Sequence, residues 1–177
     1  MPGTAHHITQ RGNNRQEVFF TDDDRRVYLE LLREESEAWG FSVLGYCVMD
    51  NHVHLVGVPE RAESLAKAVG RTHWRYAQYI NRMHSRSGHL WQGRFYSCPL
   101  DEAHSWAALA YVERNPVRAG LVRAPWRYKW SSAAVHAGKR KDDGLLDMKA
   151  WTKAWTPSRW QKFLRQEEPP EGMKALR

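Results

Sequence analysis

The sequence predicts an α+β fold, an antiparallel sheet with helices packed on it, and three observations carry this. Phe41–Met49 and His52–Val58 are apolar runs of strand length separated only by Asp50-Asn51, a spacing suited to a tight turn between antiparallel strands. Two long segments, one ending at Trp39 and one at Met83, carry apolar residues at helical spacing. The elements follow in the order β-α-β-β-α-β-α, which is that of a ferredoxin-like (split β-α-β) sandwich with one extra helix.

The first strand is His7–Gln10, followed by a polar, basic loop, Arg11-Gly12-Asn13-Asn14-Arg15. Thr21 or Asp22 caps the first helix, Val27, Leu31 and Leu32 form its apolar face, and Gly40 ends it in the C′ position that favours glycine. Phe41–Met49 and His52–Val58 are the second and third strands, the third central in the sheet. Pro59 closes that strand, and a helix over about residues 62–83 carries Leu65, Val69, His73, Tyr76 and Ile80 on one stripe. Phe95–Pro99 is the fourth strand. Asp101-Glu102 opens a last core helix, which Pro116 is expected to stop at Asn115. The charged segment 138–144 then separates a core, residues 1–137, from a short helical tail, residues 138–177. Trp151, Trp155 and Trp160 in that tail are expected to anchor it to the core, since disordered segments are poor in aromatics.

The chain has 177 residues, enough for one domain with an appendage. Lys and Arg exceed Asp and Glu by seven, a surplus that favours a polyanionic partner, most simply nucleic acid. Nine tryptophans interleaved with arginine suit stacking on unpaired bases as well as a core. Cys47 and Cys98 have apolar neighbours and no CxxC partner, so neither a disulfide framework nor a zinc finger is expected. No run approaches the length of a membrane span and no signal-peptide pattern opens the chain. The expected location is the cytoplasm, on the nucleoid, with no membrane partner.

The most informative stretch is Met49-Asp50-Asn51-His52-Val53-His54-Leu55-Val56. On a strand, His52 and His54 point the same way with Cα atoms about 6–7 Å apart, close enough for two imidazoles to converge on one cation. The same pair could equally be two core histidines. In the last core helix Tyr111 and Asn115 are four residues apart and share a face, offering a hydroxyl beside an amide.

Together His52-Val53-His54 and Tyr111-x-x-x-Asn115 resemble the catalytic set of the single-tyrosine HUH transposases of insertion-sequence type, above all the REP-associated tyrosine transposases. The blocks 7–13, 46–54, 88–95 and 111–120 follow in that family's order and cover roughly residues 6–135. The resemblance implies Tyr111 as nucleophile, and His52, His54 and Asn115 as ligands of a divalent metal, Mg²⁺ or Mn²⁺. It implies nicking and joining of hairpin-forming single-stranded DNA through a 5′-phosphotyrosine, by a monomer or a homodimer. The alternative is a non-cleaving module that binds hairpin DNA or RNA.

Further candidates for DNA contact are Arg11, Asn13, Asn14 and Arg15 in the first loop, Arg75 and Arg82 on the long helix, and Trp91, Arg94 and Arg118. Trp91 reads either as core or as a base platform, and the two arginines on the long helix as a phosphate track or a solvated face. Tyr76 and Tyr79 are rival nucleophiles, but neither has an amide four residues later.

Overall fold

The computed structural model describes residues 1–166. Among them one antiparallel sheet has strand order β2-β3-β1-β4, with β1 His6–Arg11, β2 Phe41–Val48, β3 His52–Pro59 and β4 Tyr96–Pro99. Its two central strands, β1 and β3, pair Thr9 with His54 and Arg11 with His52. Period-2 alternation then sorts β3: Val53 and Leu55 face one core, His52, His54 and Val56 the other side.

On the first face lie α1 (Asp22–Trp39) and α2 (Ser64–Met83). Thr21 and Asp24 form a reciprocal capping box at the start of α1, and Gly40 ends it at a φ of 66° that glycine adopts without strain. Ile8, Tyr46, Val48, Val53 and Leu55 from the sheet close over Tyr28, Leu32, Val69, Tyr76 and Ile80 from the helices. This is the ferredoxin-like arrangement expected from the pattern.

The second face carries α3 (Glu102–Arg118). It lies close because Gly45 has no side chain: a Cβ there would meet Leu109 Cδ1 at 2.1 Å. The expected stop at Asn115 is corrected: α3 runs through Pro116 to Arg118. Proline removes only its own donor, while Ala119 N–H still bonds Asn115 O and Leu121 N–H bonds Pro116 O, each at 2.9 Å. With Val112 and Pro116 both buried, packing outweighs the one lost bond.

A short helix α4 (Ala133–His136) and the tail helices α5 (Met148–Ala154) and α6 (Pro157–Arg165) complete this side. Trp151 and Trp160 are buried with Leu109 and Val112 of α3, and Trp155 packs edge-on to Trp160. The remainder of the tail, including the Pro169-Pro170 pair, lies outside the described residues. Both cysteines are free, Cys47 buried and Cys98 partly so. Among the described residues no helix is long and apolar enough to cross a membrane.

Candidate active site

A cavity of about 700 Å³ lies where the second face of the β1–β3 pair meets α3. Strand alternation puts His52 and His54 in its floor. The helical repeat brings Tyr111, Asn115 and Arg118 along one edge of α3 into the same space. Because α3 continues past Pro116, Arg118 reaches back, and its guanidinium stacks 3.7 Å from the Tyr111 ring centroid. The opposite wall is the loop Gln92–Arg94, tied to β1 by the Gln92 N–H to Arg11 O bond of 2.9 Å.

The two floor imidazoles are fixed from behind. His52 Nδ1 lies 2.6 Å from Asn51 Oδ1. His54 Nδ1 lies 3.0 Å from His7 Nε2 and 3.2 Å from Thr9 Oγ1, and the His7 and His54 rings stack 11° from parallel. Among the described residues neither Nε2 has a hydrogen-bond partner, so each ring keeps that nitrogen for a ligand. Metal-binding histidines are oriented in this way, through the nitrogen that does not coordinate. The Tyr111 ring stands edge-on to both His7 and His54, with centroids 6.1 Å away.

Electrostatics keep the imidazoles uncharged. Burial, helped by the Arg11 charge, pulls His52 down to about 4. Burial, with the neighbouring His52 and His7 rings, holds His54 well below the ordinary imidazole range, and burial alone brings His7 to about 4. Neutral rings are the form that can coordinate a cation. Among the described residues no group of three or more His, Cys, Asp or Glu could hold a metal ion. A metal here would have two imidazoles and the Asn115 amide as its protein donors, a set that suits a divalent ion with positions left open for water or phosphate.

Of the residues expected to touch DNA, Arg11, Arg94 and Arg118 line the cavity. Asn13, Asn14 and Arg15 form a one-turn 3-10 segment outside it, pinned by the Asn51 Nδ2–H to Arg15 O bond of 3.0 Å. Two expectations are corrected. Trp91 is core: it is 9% exposed, and its indole N–H donates to His73 O at 3.0 Å. Arg75 bridges Glu34 and Glu35 of α1 at 2.7 and 2.9 Å, on the other face of the sheet. Arg82, exposed near the end of α2, does not line the cavity. The rival nucleophile Tyr76 is buried, with its hydroxyl donating to Val18 O at 2.7 Å, and Tyr79 donates to Asp24 Oδ1 at 3.2 Å.

Sequence reasoning missed His7, Thr9 and Gln10. His7 and Thr9 share parity on β1, but only the strand register shows that they lie behind His54.

Residues 2–115 match the family model for IS200-like transposases. No curated protein matches the chain. Among solved structures, a REP-associated tyrosine transposase bound to a REP hairpin is similar in fold. Its TM-score is 0.63 at 14% identity, covering 84% of this chain and 85% of that one. A putative transposase from Deinococcus radiodurans R1 aligns with a TM-score of 0.46 at 20% identity, over 62% of this chain and 88% of that one.

Proposed function

We propose, from the premise that this chain belongs to the IS200-like transposase family, that it nicks and rejoins hairpin-forming single-stranded DNA with Tyr111 as nucleophile and a divalent cation, Mg²⁺ or Mn²⁺, as cofactor. One observation carries this reading: His52 and His54 of β3 and Tyr111, Asn115 and Arg118 of α3, two segments far apart in sequence, line one basic cavity. The hairpin-bound state of the fold relative above supports a hairpin as the partner.

In this reading Arg11, Arg94 and Arg118 bind the phosphates that flank the scissile bond. Tyr111 Oη attacks phosphorus, its proton passing to water. An O–P bond to tyrosine forms as the P–O3′ bond breaks, and the departing 3′ oxygen takes up a proton. The phosphodiester is exchanged for another ester and not hydrolysed, so a second 3′-hydroxyl can reverse the step and join strands. His52, His54 and Asn115 would hold the cation, which supplies Lewis-acid polarisation of the phosphoryl oxygens. His7, Thr9 and Asn51 orient those ligands. Tyr111 meets the histidines of its own chain, which supports action in cis. A non-cleaving hairpin binder is the alternative, and it has no use for two oriented, uncharged imidazoles beside a tyrosine.

The test is incubation of the full chain with a flanked DNA hairpin and Mn²⁺, followed by denaturing electrophoresis. A covalent protein–DNA band is expected from the native chain. It should vanish with Tyr111→Phe, with His54→Ala and with a chelator, while hairpin affinity stays within about threefold, because affinity rests on phosphate contacts. Full adduct yield from Tyr111→Phe sinks the nucleophile assignment. Undiminished cleavage in the presence of chelator sinks the metal.

A further inference from the structure

A second cavity, of about 450 Å³, opens beside the catalytic one and shares Gln10, Gly93 and Arg94 with it. Its size lies within the ~300–1,000 Å³ of small-ligand pockets. The rest of its lining comes from α2 and from the segment leading into β4. Ala66, Gly70 and Trp74 recur every fourth residue on α2 and form one stripe, with Trp91 and Phe95 facing it as the aromatic wall.

Three features of this cavity lack a structural explanation. Trp74 is 60% exposed, although burying so large a ring is one of the strongest apolar gains available to a fold. One turn earlier, a Cβ at Gly70 would meet nothing within 4 Å, so the floor beneath the tryptophan is open. At the neck between the cavities Gln10 is only 5% exposed; its Nε2–H donates to Gly93 O at 2.8 Å, and among the described residues its Oε1 has no partner.

A flat aromatic face, an open floor, an amide oxygen left without a protein partner among the described residues and a guanidinium at the neck match the chemistry of one nucleotide. The base has a π-face for Trp74 and exocyclic N–H groups for Gln10 Oε1, and its phosphate suits Arg94. We propose that this second cavity is a nucleobase subsite, where one unpaired base of the strand leaving the catalytic cavity passes Gln10 and Arg94 and stacks on Trp74. The inference rests on the single-stranded DNA reading above and deepens it. Trp74 is the platform, and Trp91, buried behind it, is part of the wall.

The test compares two fluorescent probes by anisotropy with the full chain: a DNA hairpin with six-nucleotide single-stranded flanks, and the same hairpin without flanks. Trp74→Ala should weaken the flanked probe roughly 5- to 150-fold, the usual worth of one stacked base, and leave the bare hairpin unchanged. Trp74→Phe should retain most of the affinity, and Gly70→Leu, which fills the floor, should reproduce the loss. Abasic scanning should find one flank position whose removal weakens the native chain as much as Trp74→Ala does and costs that variant nothing further. Unchanged affinity in Trp74→Ala, or equal loss on both probes, overturns the subsite alone. A native chain that binds neither probe overturns the single-stranded DNA reading as well.

Discussion

His54 is set less by its own neighbours in sequence than by His7 and Thr9, 47 and 45 positions away along the chain. A deeper imidazole, His73, gives a measurable consequence of such burial. Burial holds it down to about 3, against about 6.5 in an unfolded chain. Between these values the unfolded chain binds a proton that the folded one refuses. Stability therefore falls as pH drops below about 6.5, and this contribution levels off near 3. His73→Gln keeps a polar partner for the Tyr28 hydroxyl, now 3.1 Å from His73 Nε2, but cannot titrate. Urea unfolding at pH 7.5 and pH 5.5 should show a drop about 1.4 kcal/mol smaller in the variant than in the native chain. Equal drops would mean that folded His73 carries a proton.

At the scale of elements, α3 is held on the sheet by the tail. Glu113, fully buried, sits between Tyr111 and Asn115 on α3 and accepts three hydrogen bonds. Ser132 Oγ–H donates at 2.5 Å, His136 Nδ1 at 2.6 Å, and the Trp160 indole of α6 at 2.8 Å. Arg114 adds bonds to the carbonyls of Phe163 and Leu164. Trp160→Phe keeps an aromatic ring but deletes the donor to a carboxylate, and the smaller phenyl ring leaves a void that adds to the cost. A loss of ~1.5–3 kcal/mol is expected, which in a chain of this size lowers the melting temperature by about 3–12 °C. An unchanged melting temperature would make the Trp160–Glu113 bond incidental. Tryptophan in the tail signalled docking. Nothing in the sequence marked a glutamate on a mixed-polarity helix as the group it docks on.

At the scale of the whole molecule, the chain carries a surplus of seven positive charges, and Arg11, Arg94 and Arg118 wall the cavity. Binding of the flanked hairpin should weaken with salt, with a slope of log K against log salt of about −2 or steeper, since each single-strand phosphate contact contributes about 0.7. Arg94→Gln should flatten that slope by about 0.7 across unrelated flank sequences. A salt-independent affinity, or a preference for perfect duplex, would count against the nucleic-acid reading.

The sequence by itself determined the element order, the start of α1 at Thr21 or Asp22, the hairpin that carries His52 and His54, and the Tyr111–Asn115 pair. These rest on period, turn chemistry and spacing, all of which act over a few residues. Only the tertiary structure decided which elements meet. The strand register placed His7 behind His54. Packing carried α3 through Pro116 and so returned Arg118 to Tyr111. The choice between sheet faces took Arg75 from the site, sank Trp91 into the core and left Trp74 exposed. Such outcomes depend on contacts between residues tens of positions apart, and a local pattern holds no information about which face of a neighbouring element it will meet.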